Sequence, residues 1–204
     1  MPDTDDMPET ETPPAPPADA PRPGGEQLAE RLFRARTIVI SGEVNQKLAA
    51  SVTAQLLALS ADSDEPITMF VNSQGGHVEA GDTIHDLVRF VPAPVRMVGT
   101  GWVASAGALI YVSVPLSRRF ALPNTRFLLH QPSGGTMGMA ADIEIEAREI
   151  LRMRDRLNHI FAAATGQTVE RIAEDTRRNF WLDAKAAIEY GLAGRIIDHL
   201  TDLT

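Results

Sequence analysis

The stretch PVRMVGTGWVASAGALIYV, residues Pro94 to Val112, joins a β-branched apolar run to a run of small and aliphatic residues. The first part is typical of a buried strand, and the part that begins at Ser105 is typical of a closely packed helix. Serine beside alanine and glycine is common where helices pack tightly. This stretch alone therefore leaves open whether Ser105 is a packing residue or a nucleophile.

Two similar strand and helix pairs precede this stretch. The strands are predicted in TIVISGE (37–43) and PITMFVNS (66–73), and apolar residues recur after them at steps of three and four, as in Leu48, Val52 and Leu56. That spacing is the stripe of an amphipathic helix. Repeated alternation of strand and helix predicts an α/β fold with a parallel sheet and flanking helices, in which every strand is apolar enough to be covered on both faces.

The C-terminal half is predicted to begin with two short strands in RRFALPNTRFLLHQP (118–132). A charged helix from about Ala140 to Ala164 follows, and its apolar face includes Ile143 and Ile150. We expect this helix to protrude and to bury that face against another subunit. A helix, a strand, a helix that Asp183 caps and a last strand complete the chain.

The N-terminal residues 1–25 hold eight of the fourteen prolines and six acids against one arginine. A segment with so little aliphatic bulk cannot offset its ordering entropy by burial. We therefore expect residues 1–25 to form a disordered acidic tail and residues 26–204 to form one domain.

The composition excludes several classes of function. The chain has no cysteine, which excludes disulfides, thiolate metal sites and a cysteine nucleophile, and which favours a cytoplasmic location. Its formal net charge of −8 argues against a nucleic-acid partner. No apolar run reaches the roughly 18 residues that span a bilayer, so we expect no membrane partner. We also expect neither a metal nor another cofactor.

Several residues could complete a catalytic site around Ser105. A serine hydroxyl needs a base within reach and backbone N–H groups for the oxyanion. Ala106 begins the helix after Ser105, and Gly75 and Gly76 follow the second strand at the same edge of the sheet. His130 ends an apolar strand just before a proline. Val103 rules out the G-x-S-x-G turn of the α/β-hydrolases.

The chain resembles the ClpP family, the proteolytic subunits of the ATP-dependent Clp protease, from about Ala29 to Ile197. The resemblance rests on the segments NSQGG, GWVASAGALI, RRFALPNTRFLLHQPSGG, DIEIEAREIL, ATGQTVERI, EDTRRNF and AAIEYGL, in this order. It implies a crotonase-like α/β fold, stacked heptameric rings around a chamber, and peptide-bond hydrolysis by a serine. The long helix would be the family's handle, which interleaves between two rings.

The resemblance also implies roles for individual residues. Ser105 matches the nucleophile, His130 the general base, and Gly76 with Ala106 the oxyanion-hole amides. The segment SGGTMG, which contains Gly134 and Gly135, matches the part that holds an extended substrate, and Gly75 of the oxyanion loop is expected to bind substrate as well.

The third member of the triad departs from the family, because Asn179 stands where the family has aspartate. An asparagine can orient the imidazole but brings no charge to stabilise the imidazolium, and in a chymotrypsin-type triad this change lowers kcat about 10⁴-fold. Asp175 is an alternative partner for the base, although a cap or a ring-interface ion pair with Arg177 or Arg178 is the favoured role for it. His77 lies near the oxyanion loop, where a solvated role is favoured over a catalytic one.

Three functions remain. The first is a serine endopeptidase subunit of a Clp-type protease that forms homo- or hetero-oligomeric rings and receives unfolded proteins from a Clp ATPase. Its intrinsic activity would be low, and ring partners would raise that activity. The alternative is a non-catalytic or weakly active ring subunit that regulates an active paralogue. The last is an acyl-CoA enzyme of the crotonase group, which has no need of the Ser105 and His130 pair.

Overall fold

The computed structural model of the protein describes residues 24–132 and 137–203. Most of the tail, together with Gly134 and Gly135 of the expected substrate segment, lies outside these residues. The described helices and strands, in chain order, are α1 (Gly25–Arg34), β1 (Thr37–Val44), α2 (Gln46–Asp62), β2 (Ile67–Gly76), α3 (Val78–Phe90), β3 (Val95–Ala104), α4 (Ala106–Tyr111), β4 (Arg119–Ala121), β5 (Arg126–Leu129), α5 (Ala140–Thr165), α6 (Val169–Asp175), β6 (Phe180–Asp183), α7 (Ala184–Glu189) and β7 (Arg195–Ile196).

Local signals in the sequence explain where several helices begin and end. The Asn45 side chain accepts a hydrogen bond from the Leu48 N–H and caps α2. The Asp183 side chain caps α7 in the same way, as the sequence predicted. Gly166 ends α5 with a φ of 76°, a conformation that glycine adopts without steric cost.

The seven described strands form one mainly parallel sheet, in the order β1-β2-β3-β4-β7. Strand β3 divides its partners: its first half pairs with β4, and residues Trp102 to Ala104 pair with β5. Strand β6 then pairs antiparallel with β5 alone. The α/β fold with a parallel sheet and flanking helices is therefore confirmed, with one antiparallel strand at the edge that carries the site.

The expectation that every strand is covered on both faces is wrong within the described subunit. Residues of the C-terminal segment, Ile197 and Leu203, cover Val98 and Phe120. The Val39 side chain on β1 is nevertheless 50% exposed. The outer face of the sheet is thus only partly covered by the chain itself.

The long helix α5 packs against the core only through its C-terminal half. Its buried residues begin at Leu157, and Phe161 belongs to the main core cluster. No residue from Ala140 to Arg156 is buried, which is the uncovered helix that the sequence analysis expected. Among the described residues, no helix combines the length and apolar character needed to cross a membrane.

Candidate active site

Ser105 lies at the sharp turn between β3 and α4. Its backbone has φ 53° and ψ −119°, a sparsely populated conformation for a residue with a side chain. Such a conformation costs on the order of 1–3 kcal/mol and persists where the surroundings fix it. The Ser105 N–H donates to the Leu128 carbonyl at 2.9 Å, which anchors the turn to β5.

The glycines after β2 run directly beside this serine. A Cβ atom on Gly75 would lie 2.6 Å from the Ser105 Cβ and 3.2 Å from its Oγ, so only glycine fits this approach. Gly76 has φ 154°, and a Cβ there would lie 2.1 Å from the Val44 carbonyl oxygen. The structure thus brings the predicted Gly75 and Gly76 loop to Ser105.

A buried serine that the sequence analysis missed holds this loop in place. Ser73 is 1% exposed, and its Oγ accepts a hydrogen bond from the Gly75 N–H at 3.0 Å. The same hydroxyl donates to the Gly42 carbonyl at 2.5 Å. Its position two residues before the glycine pair was the available signal, because serine often bonds a backbone N–H two residues on.

Ala106 supplies a backbone N–H next to the nucleophile. It is the first residue of α4, and the first N–H groups of a helix have no acceptor within that helix. The Ala106 side chain is buried, and Ala106 also lines the cavity at Ser105. An oxyanion formed at this cavity would therefore lie near an N–H group that the helix does not use.

His130 and Asn179 meet because of the strand register. Leu129 pairs with Phe180 in the antiparallel β5 and β6 ladder, and these residues directly adjoin His130 and Asn179. The His130 Nδ1 lies 3.2 Å from the Asn179 Oδ1. An amide oxygen only accepts, so this contact places the proton on Nδ1 and leaves Nε2 as the basic nitrogen.

Ser105 and His130 line one small apolar cavity of about 20 Å³. The other side chains around it include Leu129, Leu157 and Phe161. No hydrogen bond joins the Ser105 Oγ to the His130 ring in the described part of the chain. Catalytic hydrogen bonds are often long until substrate binds, so the lack of this bond does not exclude Ser105 and His130 as a catalytic pair.

Asp175 is engaged away from His130. Its Oδ2 accepts a hydrogen bond from the Tyr190 hydroxyl at 2.8 Å and from the Arg171 Nε at 2.6 Å. Burial, and next the hydrogen bond to Asp175, raise the pKa of Tyr190. Within the described subunit the ion-pair partner of Asp175 is Arg171, one helical turn earlier on α6, and not Arg177 or Arg178.

The other histidines lie apart from this arrangement in the described residues. His77 is exposed at the start of α3, and its ring makes no hydrogen bond to a described residue. His85 is buried within the subunit, with Nδ1 3.0 Å from the Asp86 Oδ1. Neither ring lines the cavity that Ser105 and His130 share.

No group of three or more metal-ligating side chains occurs in residues 24–132 and 137–203. What the arrangement offers is a hydroxyl on a strained turn, an imidazole oriented by an amide, and backbone N–H groups beside both. These are the groups that acyl transfer to a serine requires.

Comparison with known proteins places the chain among close relatives. A family model described as Clp protease matches residues 24–200. The proteolytic subunit 3 of the ATP-dependent Clp protease of Rhizobium etli is 60% identical over 181 residues, which cover 89% of this chain and 93% of the relative. The proteolytic subunit 2 of Gluconobacter oxydans is 60% identical over 179 residues, which cover 87% of this chain and 80% of the relative.

Solved structures agree with this placement. ClpP1 from Listeria monocytogenes is 51% identical, with a TM-score of 0.79, over 87% of this chain and 99% of the other. An Asn-to-Asp mutant of the same ClpP1 is 52% identical, with a TM-score of 0.82 over the same shares.

Proposed function

Because the chain belongs to the Clp protease family, we propose that it is a serine endopeptidase subunit of an ATP-dependent Clp-type protease, hydrolysing peptide bonds of unfolded proteins. The observation that carries this proposal is the hydrogen bond between His130 and Asn179 at the mouth of the cavity that Ser105 lines. It gives the base a fixed orientation and leaves Nε2 free, and Ser105 lines the same cavity as this imidazole.

In the proposed reaction the Ser105 Oγ attacks the carbonyl carbon of a peptide bond and passes its proton to the His130 Nε2. The N–H groups of Gly76 and Ala106 donate to the oxyanion that forms. His130 then protonates the leaving amine, which separates and leaves an ester on Ser105. A water molecule, deprotonated by His130, hydrolyses this ester and restores the serine.

Asn179 accounts for the low intrinsic activity that we propose. Its amide oxygen holds the Nδ1 proton of His130 but carries no net charge to stabilise the imidazolium during proton transfer. The carboxylate of Asp175, the alternative partner of His130, already accepts hydrogen bonds from Tyr190 and Arg171. The imidazolium would therefore depend on the Asn179 dipole and on solvent.

We also propose that the subunit works in heptameric rings stacked as a double ring, either alone or with a paralogous subunit, and in the cytoplasm. The names of the relatives include an ATP-dependent protease, which favours a Clp ATPase as the partner that delivers unfolded chains. The uncovered first half of α5 supports assembly, since its exposed aliphatic side chains have no partner within the described subunit.

A second candidate is a ring subunit without catalytic activity of its own that regulates an active paralogue. Two observations favour it: the described Ser105 Oγ makes no hydrogen bond to His130, and the group that orients His130 is neutral. The chain nevertheless retains the nucleophile Ser105, the base His130 and the oxyanion glycine Gly76, and lacks only the triad aspartate. This retention favours the peptidase.

Labelling by a fluorophosphonate distinguishes the two candidates. The purified protein is treated alone, with a paralogous subunit, and with a Clp ATPase, and the modified residue is identified by peptide mass spectrometry. The peptidase predicts labelling at Ser105 and Ser105-dependent hydrolysis of a fluorogenic peptide in at least one mixture. If a heat-denatured control labels as strongly as the native protein in all three, the site is not functional.

A further inference from the structure

A second cavity, of about 650 Å³, lies between α3, the segment that follows α4 and the C-terminal half of α5. No residue that lines it also lines the small cavity at Ser105. We call it the α3–α5 cavity. Its volume is within the range of pockets that bind small molecules in proteins. Because no residue of the candidate active site lines it, the proposed peptide hydrolysis does not explain its composition.

The apolar part of the lining consists of aliphatic and small side chains. Val112 and Val114 follow α4 and are buried, and Ile160 of α5 is half-buried. Ala163 and Ala164, near the end of α5, also line the cavity and leave space that longer side chains would fill. This part of the lining could hold the apolar body of a ligand.

The basic part of the lining includes a buried arginine, Arg119, which is only 3% exposed. Its Nε and Nη1 donate to the carbonyl oxygens of Val114, Ala164 and Leu192. These carbonyls carry no net charge, and no described carboxylate forms an ion pair with Arg119. Its Nη2 makes no hydrogen bond to a described residue. Since a buried charge is ordinarily paired with an opposite charge, Arg119 indicates a place for an anion.

A second arginine and two histidines extend this basic part. Arg89 of α3 lines the cavity and forms no ion pair with a described carboxylate. The Nδ1 of His85 lies 3.0 Å from the Asp86 Oδ1, and the Nδ1 of His159 lies 2.8 Å from the Asp155 carbonyl oxygen. Both rings therefore keep Nε2 available for a polar group of a ligand.

The acids near the cavity are already engaged. Asp86 lines the cavity and is held by the histidine ring next to it in the chain. Asp82 forms an ion pair with Arg156, another lining residue, at 2.6 Å. The cavity thus keeps Arg89 and Arg119 as two cations for which no described carboxylate is a partner.

We propose that the α3–α5 cavity binds a small organic anion, whose carboxylate or phosphate group pairs with Arg89 and Arg119 and whose apolar body lies on the aliphatic lining. Guanidinium groups match the oxygen pairs of carboxylates and phosphates in geometry and charge. The anion would supply the opposite charge that Arg119 lacks, and its apolar body would remove aliphatic surface from water. The proposal does not rest on the peptidase function, because the two cavities share no lining residue.

Calorimetric titration of the full-length protein tests the proposal with three eight-carbon probes, octanoate, octyl phosphate and the uncharged octanamide, each below the concentration at which micelles form. We expect one site per chain for at least one of the two anions, and affinity at least about tenfold lower for octanamide, the scale of a lost charged hydrogen bond. The anion that binds identifies the acid group. Binding of neither anion, or equal binding of octanamide, would overturn the proposal. Inorganic phosphate that binds as tightly as octyl phosphate would overturn the assignment of an organic ligand.

Substitutions locate the bound anion. Arg89→Met should lower the affinity about tenfold, and Arg89→Lys should lower it less. Arg31→Met, at an exposed arginine of α1 that does not line the cavity, should leave the affinity unchanged. Ala163→Phe fills the cavity from an exposed helix position and should abolish binding, with circular dichroism as the check on folding.

The same titration separates this site from the candidate active site. Ser105→Ala should bind the anion as the wild type does. Loss of binding in Ser105→Ala would place the anion at the candidate active site and overturn the proposal. An affinity that neither Arg89→Met nor Ala163→Phe changes would overturn it as well.

Discussion

Leu129 pairs with Phe180 in antiparallel register, and this pair places His130 beside Asn179 with 3.2 Å between Nδ1 and Oδ1. The contact thus follows from backbone pairing between segments about fifty residues apart. Any change that shifts the β5 and β6 register by one residue would move both side chains to opposite faces and break the contact.

Replacing Ser105 with alanine should abolish peptide hydrolysis and fluorophosphonate labelling, because no other described hydroxyl lies beside His130 at the cavity. Assembly should be retained, since the methyl group fits the same turn. Hydrolysis of a fluorogenic peptide and sedimentation velocity measure the two effects. Ser117→Ala, at an exposed serine, is the control, and turnover of Ser105→Ala equal to wild type would contradict the assignment.

Removing residues 1–23 leaves α1 complete and should change the free energy of unfolding by less than about 1 kcal/mol, since a Pro-rich acidic segment has little to bury. Chemical denaturation of the full and shortened chains measures this. A larger loss of stability, or loss of assembly in sedimentation, would mean that the tail packs against the rest of the protein.

Arg119 is the buried cation of the described fold, and its replacement by methionine should be costly. Its Nε donates to the Val114 carbonyl, and its Nη1 donates to the carbonyls of Ala164 and Leu192. Burial lowers the pKa of Arg119 to about 10, so the side chain remains charged at neutral pH.

Arg119→Met leaves these three carbonyls without their donor, and we expect a loss of about 2–4 kcal/mol in the free energy of unfolding. Denaturant titration measures it. Arg118→Met, at the exposed neighbouring arginine, should cost less than about 0.5 kcal/mol. Equal effects of the two changes would show that the carbonyl contacts contribute little.

The small cavity at Ser105 should limit the side chain that precedes the cleaved bond. Phe161→Leu enlarges this cavity at moderate cost to the core. It should raise kcat/KM for substrates with leucine relative to alanine at that position by about tenfold, the scale of a pocket that gains a methylene. Phe33→Leu, at a more exposed phenyl group of α1, should leave the ratio unchanged. An unchanged ratio in Phe161→Leu would exclude this cavity as the specificity pocket.

The sequence predicted the parts of the fold that local patterns determine. The periodicity of β1 to α4 and the long α5 agree with the structure, because each pattern reports one buried face. No local sequence pattern indicates the antiparallel pairing of β6 with β5, because this pairing joins two strands that are distant in the chain. The exposed outer face with Trp102 and Trp181 follows from that pairing and was missed for the same reason.

The candidate site was predictable where the chain order places groups at one edge of the sheet. Ser105, His130 and the Gly75 and Gly76 loop meet as expected. The role of Ser73 and the partners of Asp175 were not foreseen, because they depend on side-chain directions in the packed structure. Tyr190 lies fifteen residues after Asp175 in the chain and meets it only in the folded protein.

The last prediction concerns Asn179→Asp. If Asn179 orients His130, a carboxylate there would stabilise the imidazolium formed when Ser105 gives up its proton. The change should then raise kcat, with about 10⁴-fold as a ceiling and a smaller gain if assembly limits turnover. Stopped-flow hydrolysis of a fluorogenic peptide, with Ser105→Ala in the same background as the blank, measures the gain.

Asp175 provides the counter-test, because its carboxylate is held by Tyr190 and Arg171 rather than by His130. Both hydrogen bonds are accepted by the Asp175 Oδ2, so Tyr190→Phe removes one of them and leaves the bond from Arg171 in place. We expect Tyr190→Phe to leave kcat near wild type and Asn179→Asp to raise it.

If Asp175 were the true partner, Asp175→Ala would abolish hydrolysis while sedimentation showed intact assembly, and Asn179→Asp would bring two carboxylates to one imidazole with little gain. If neither the wild type nor any variant at position 175 or 179 shows Ser105-dependent hydrolysis, the protein is better described as a non-catalytic ring subunit. The sign of the change in kcat for Asn179→Asp therefore decides which side chain completes the triad.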